Sequence, residues 1–225
     1  GFLLEIGRVP LSLFAKKAAI KNWERLKNDK GLLFILLSYK NALKEKLHWI
    51  RNIKKFLESN GMMSSFAKPT INLSRKVFQM AIDIFHQEAF ASIKSERSKL
   101  RTYCKIKHCI GFENYLNDVT NISDRIAMTK LRLSNHKLMI EVGRHTKLDI
   151  NMRLCPNCMV LESEIHFLFS CSLYTELRIL LLSPFLRNRI YTDDEKLIII
   201  FSSRNFSKNI AIYINASFCI RESLQ

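Results

Sequence analysis

Apolar and polar residues alternate along most of this chain at helical spacing. Pro10 suits the first position of a helix, and from there to about Lys27, at about 100° per residue, Leu13, Ala19, Ile20, Trp23 and Leu26 share one face while Lys17, Lys21 and Arg25 line another. A second helical stretch, one helix or two, covers roughly Leu32 to Asn60 and stops at Asn60-Gly61. Its apolar side holds Leu36, Leu43, Leu47, Ile50 and Leu57; Lys40, Lys44, His48, Arg51 and Lys55 form a basic ridge on another side. Gly61 to Ile71, with Ser64, Ser65 and Pro69, predicts a loop and the best boundary in the first half. A long helix follows from a Ser74 cap to about Tyr103, with Val77, Ala81, Ile84 and Phe85 inward and Lys94, Arg97, Arg101 and Lys105 stacked on one side.

Further along, a short helical stretch is expected around Phe112 to Leu116. Ser123-Asp124 can cap a helix through Ile126, Leu131 and Leu133, reaching as far as Met139, with Gly143 as a stop. Arg144 to Leu154 is polar and predicted extended; after Cys171, helices are predicted over Leu173 to Leu182, Lys196 to Phe201 and Ile210 to Ile220. Only 6 Gly and 4 Pro occur in 225 residues, which removes the turn-dense composition of a β-sandwich and leaves a mainly α fold. The longest apolar run, Leu32 to Leu37, is far short of the roughly 20 residues a membrane-spanning helix needs. Glu5 and Arg8 interrupt the first apolar stretch, which does not read as a secretory signal. Because the chain begins with Gly1 rather than Met, it is expected to be the C-terminal piece of a longer protein.

Charge changes the picture. The formal net charge is +16, and it is uneven: residues 1–110 hold 22 Lys/Arg against 8 Asp/Glu, residues 111–225 hold 14 against 12. A basic half attracts polyanions, nucleic acid or an anionic membrane surface being the usual ones. Each ridge taken singly also fits a plain solvated face; their repetition on three helices is the argument for nucleic acid. The candidate phosphate contacts are Lys17, Lys21, Arg25, Lys40, Lys44, Arg51, Lys55, Lys94, Arg97, Arg101 and Lys105.

The sharpest chemical signal is Cys155-Pro156-Asn157-Cys158, then His166 and Cys171. Two sulfurs on a tight turn and a distant His/Cys pair suit one tetrahedral Zn²⁺, and four protein ligands leave no open position, so the expected role is structural. The alternative is a disulfide beside a buried histidine. Within Glu162 to Cys171, which has helical character, Ile165 and Phe169 are expected to pack inward while His166 faces the metal; Phe167 reads as core, with base stacking as the alternative. Cys104, His108 and Cys109 lack further ligands, and with Cys219 they read as ordinary thiols.

The cysteine motif, the preceding Met128-Thr129-Lys130-Leu131-Arg132-Leu133-Ser134-Asn135-His136-Lys137 run through Gly143-Arg144, and the following His166-Phe167-Leu168-Phe169 resemble the C-terminal region of LINE-type (non-long-terminal-repeat) retrotransposon reverse transcriptases. Gly7-Arg8-Val9-Pro10-Leu11 and the helix through Trp23 are similar to the segment after the polymerase core in that family. The resemblance implies that Cys155, Cys158, His166 and Cys171 are the family's zinc ligands. It implies too that the region helps hold element RNA and target DNA in the nucleus, with a cytoplasmic ribonucleoprotein stage, beside an upstream polymerase domain.

Tyr191-Thr192-Asp193-Asp194 matches the metal-holding tetrad of reverse transcriptases, but Glu195-Lys196 follows where an apolar strand should begin, so the two aspartates read as the cap and first turn of a helix. The resulting expectation is four parts: a basic helical segment 1–60, a helical linker 61–152, a CCHC zinc module 153–182 and C-terminal helices 183–225. Taken together they bind nucleic acid without catalysis and without a membrane or small-molecule substrate; the alternative is an interaction module docking on the polymerase domain.

Overall fold

A computed structural model describes residues 2–28, 33–45, 47–69, 72–95, 99–183 and 191–223. In chain order the helices are α1 (Phe2–Glu5), α2 (Leu11–Asn28), α3 (Leu33–Lys44), α4 (His48–Ser59), α5 (Ser64–Ala67), α6 (Leu73–Lys94), α7 (Tyr103–Ile106), α8 (Tyr115–Asp118), α9 (Ile122–Arg132), α10 (Met139–His145), α11 (Thr175–Leu181), α12 (Asp193–Ser202) and α13 (Ser207–Ser223). The fold is mainly α; among the described residues there is no strand, only two isolated bridges, Ile6 with Phe112 and Leu154 with Leu161. The chain forms two compact units, Val9–Ala89 and Gly1–Arg8 with Phe90–Gln225. The expected boundary at residue 60 therefore falls inside the first unit.

In Val9–Ala89, Ile20 and Trp23 of α2 pack with Tyr39 and Ala42 of α3, Ile50, Ile53 and Leu57 of α4, and Leu73 and Val77 of α6. Burying side chains of this size contributes about 1.5–3 kcal/mol each. Trp23 also satisfies its indole N–H by donating to the Tyr39 hydroxyl at 3.0 Å and stacks on Phe66. The expected 32–60 stretch is two helices. The break between Lys44 and His48 changes the register, so Leu43 and Leu47, expected inward, are exposed, and Ile53 takes an inward place instead. Ala19 and Ile84 are likewise exposed, and the side chain of Leu36 lies outside the described residues. Helix α6 starts one residue before the expected Ser74 cap: the Ser74 N–H is satisfied by Glu24 of α2 at 3.0 Å, a tertiary contact in place of a local cap. It ends at Lys94, well before Tyr103.

The second unit centres on α9 against α13, with Met128, Leu131, Ile210, Ala211 and Ile214 buried. Asn121, not Ser123-Asp124, caps α9, accepting from the Asp124 N–H at 3.1 Å. The helix stops at Arg132, and Met139 opens α10. Gly143 lies inside α10 rather than ending it. Its missing Cβ makes room for Arg153, whose Cγ would lie 2.5 Å from one, and Arg153 donates to the Leu148 and Ile140 carbonyls. The segment 144–154 is correspondingly not extended, holding the end of α10 and a 3-10 turn at Ile150–Met152. The Phe112–Leu116 expectation shifts to α8 at Tyr115–Asp118.

The N-terminal residues belong to this unit. Glu5 and Arg132, both 1% exposed, pair at 3.0 Å, Glu113 joins them at 3.0 Å, and the guanidinium sits over the Tyr115 ring at 5.0 Å. Such a buried pair holds only with its partners in place. Gly7, at φ +62°, runs so close to Phe112 that a Cβ would lie 2.6 Å from its backbone nitrogen.

Candidate metal centre

Cys155 and Cys158 stand on a tight knuckle. The Met159 N–H donates to the Cys155 carbonyl at 2.9 Å, Met159 takes φ +55°, and the Cys155 N–H returns to the Val160 carbonyl at 2.7 Å. The opposite pair comes from a π-helical turn, His166–Ser170, closed by the Cys171 N–H donating to the His166 carbonyl at 2.8 Å. At about 100° per residue, positions five apart on an α-helix diverge by about 140°. The wider π turn brings His166 and Cys171 together, a use of π geometry common at functional sites.

One ligand atom from each of Cys155, Cys158, His166 and Cys171 lies within 4.8 Å of every other, close enough to hold a metal ion. The Cys171 sulfur is 3.9 Å from that of Cys155 and 3.7 Å from that of Cys158. A disulfide would need about 2.05 Å; a tetrahedral ion with bonds of about 2.3 Å gives an edge of about 3.8 Å. The cysteines are free, and the His166 Nε2 is buried without a hydrogen-bond partner. The four residues thus fit a metal and do not form the alternative disulfide.

Surrounding groups fix the ligands. Hydrogen bonds from Ser172, aided by Asn157, lower the Cys158 thiol to about 6, whereas burial pushes Cys171 up to about 12. Arg178 donates to the Leu168 and Cys171 carbonyls at 2.9 and 2.6 Å, and Tyr213 donates to the Phe167 carbonyl at 2.9 Å, so α11 and α13 anchor the π turn. Phe167 is core, as expected, in contact with Tyr174, Tyr213 and Phe218. Leu168 is its buried neighbour; Ile165 and Phe169, expected inward, are only half-buried, because the π turn alters the face of each residue.

Three buried glutamates that the sequence reading passed over tie the centre to its unit. Glu162 accepts from the Met139 N–H at 2.6 Å and pairs with Arg221; burial raises its carboxyl. Glu164 takes Arg101 at 2.7 Å and His136 at 3.1 Å, and Glu141 takes Arg101 at 2.7 Å and Arg144 at 2.8 Å. For Glu162 and Glu164 the available signal was a Glu-x-Glu one residue before the His-Phe-Leu-Phe run, since carboxylates beside a buried turn require cations.

The basic residues separate into two groups. Lys21, Arg25, Lys40, Lys44, Arg51 and Lys55 are exposed in Val9–Ala89; Lys17 is half-buried, its ammonium 4.3 Å from the Phe78 ring centre. The 40–55 ridge spans two helices, α3 and α4, not one. Among the described residues no ion pair involves Val9–Ala89, where the sequence holds 15 Lys/Arg against 6 Asp/Glu. The third ridge does not lie on one helix. Lys94 ends α6, Arg97 lies outside the described residues, Arg101 is committed to Glu141 and Glu164, and Lys105 pairs with Asp194 at 2.7 Å.

Asp193 and Asp194 occupy the first turn of α12, but the cap is Thr192, in a reciprocal capping box with Glu195. Cys109 and Cys219 are exposed thiols, and Cys104 donates to the Arg101 carbonyl. Comparison of the chain with protein-family models, with curated proteins and with solved structures finds no match, so the chemistry of these residues carries the functional argument.

Proposed function

We propose that this chain is a nucleic-acid-binding C-terminal region of a LINE-type retrotransposon reverse transcriptase, non-catalytic on its own. Its basic helices contact backbone phosphates of element RNA or target DNA, and Cys155, Cys158, His166 and Cys171 hold one structural Zn²⁺ in a CCHC site. The observation that carries this reading is the exposed Lys/Arg population of Val9–Ala89, without ion pairs among the described residues. Cations released from no carboxylate are free to neutralise phosphate, which fixes register without reading sequence.

Zinc is supported by sulfur separations that match a tetrahedral edge and by the unpartnered His166 nitrogen. When bound, the ion cross-links the knuckle to the π turn and leaves no position for water. A second reading, an interaction module for the upstream polymerase domain, is favoured by Leu33, Phe34 and Leu37, which stand exposed on α3.

The test is affinity for unrelated duplexes and RNAs across a salt series, before and after neutralising Lys40, Lys44, Arg51 and Lys55 with Gln. If all four meet duplex phosphates, the slope of log affinity against log salt falls by about 3.6, equally for every sequence. An unchanged slope, with zinc content intact, refutes phosphate contact and favours the interaction module.

A further inference from the structure

A cavity of about 580 Å³ opens between α9 and α13, within the range of small-ligand sites. Ser123, Ile126, Ala127 and Lys130 line it from one face of α9, and Asn215, Phe218, Cys219 and Glu222 from one face of α13, both at helical spacing. Its middle is apolar and aromatic: Ala127, Ile126 and Phe218, whose ring stacks on Phe167 at 5.0 Å. The lining also carries Lys130, Lys137, His145 and Arg221, against one carboxylate, Glu222, which pairs with Lys137 and feels the charge of Lys130.

Two nearly buried lining residues are held in place by carboxylates: His136 gives Nε2 to Glu164, and Arg221 gives Nη1 to Glu162. Lys130 has no ion pair among the described residues, and the Lys137 pair with Glu222 is exposed at both ends and exchanges readily for a stronger anion.

We infer that this cavity is a nucleotide site: a base lies against Ile126, Ala127 and Phe218, and its phosphate meets Lys130 and Lys137. An acyl chain would cover the exposed Ser123 and Asn135 without supplying hydrogen bonds, and a cation would face Lys130 and Lys137; a phosphorylated, hydrogen-bonding aromatic suits both. The nucleotide is either free or one unit of a bound strand. The inference rests on the cavity alone and requires neither the metal nor the lysines of Val9–Ala89.

Cys219 lines the cavity and is exposed, whereas Cys109 is exposed but does not line it. The experiment is alkylation of the intact chain by iodoacetamide, read at each cysteine by peptide mass spectrometry, with AMP, adenosine, inorganic phosphate and a 5′-phosphorylated single-stranded oligonucleotide as probes. Millimolar AMP should slow alkylation at Cys219 and not at Cys109. AMP with Lys130→Gln should need about tenfold more ligand for the same protection, the effect of losing one charge-assisted contact, and adenosine, which loses both, more still. Protection by the oligonucleotide, sensitive to Lys130→Gln, assigns the site to a strand; protection by AMP alone assigns it to a free nucleotide. No protection by either, equal slowing at Cys109, or equal potency of adenosine and AMP overturns the inference.

Discussion

Arg101→Met separates a structural role from a phosphate-binding one at a residue whose sequence context suggests the latter. The substitution keeps most of the aliphatic stem and removes both guanidinium contacts, to Glu141 and Glu164, which are 1% and 2% exposed. Stripping one partner from a buried ion pair costs about 3–5 kcal/mol. Here Arg101 is itself 35% exposed, and each carboxylate keeps a second partner, the Arg144 guanidinium or the His136 Nε2, so the expected loss is about 2–3 kcal/mol. For a chain of this size that lowers Tm by about 5–10 °C. Burial alone would raise the Glu164 carboxyl, but the His136 hydrogen bond and the Arg101 charge outweigh it and hold it below its ordinary 4.5. A depressed folded value means that Glu164 contributes stability above pH 4.5 and loses it as pH falls through the folded value. With Arg101 gone that value moves up toward 4.5, so the Glu164 contribution shrinks and the stability of the variant falls less steeply below pH 4.5 than that of the parent chain. Urea unfolding followed by circular dichroism between pH 3 and 7, with hydrogen exchange on peptides spanning 138–168, measures both effects. A stability change under about 0.5 kcal/mol, together with a shallower salt dependence of nucleic-acid binding, would refute the structural assignment.

Purified chain should contain one Zn²⁺ by metal analysis; Cys158→Ser or His166→Ala should abolish it and raise hydrogen exchange across 153–182, while Cys104 and Cys109 variants leave the stoichiometry unchanged. Gly7→Ala forces a Cβ against the Phe112 backbone at positive φ and should cost about 2–3 kcal/mol in a denaturant melt, with exchange rising at 2–8 and 107–115. Thr192→Ala removes the capping box of α12 and should cost about 1 kcal/mol, whereas Asp193→Ala, beside the cap, should cost less; equal losses would contradict the capping assignment.

What could be read from the sequence was local. Helical spacing, the scarcity of Gly and Pro and the Asn60-Gly61 stop depend on neighbours a few residues apart, and the mainly α fold follows from them. The Cys155/Cys158 knuckle with His166 and Cys171 was legible for the same reason: its four ligands lie within seventeen consecutive residues, at separations set by a turn and one helical loop. Face assignments failed wherever regularity was interrupted. The break between Lys44 and His48 exposed Leu43 and Leu47, and the π turn put Phe167 and Leu168 inside in place of Ile165 and Phe169. Gly143 looked like a stop because its close contact is with Arg153, ten residues away. The choice between Arg101 and Lys40 as a free cation belonged to tertiary structure alone. Both read as members of basic ridges, but a charge is free or spent according to which carboxylates the fold brings within 4 Å, and Glu141 and Glu164 reach Arg101 from 40 and 63 residues along the chain.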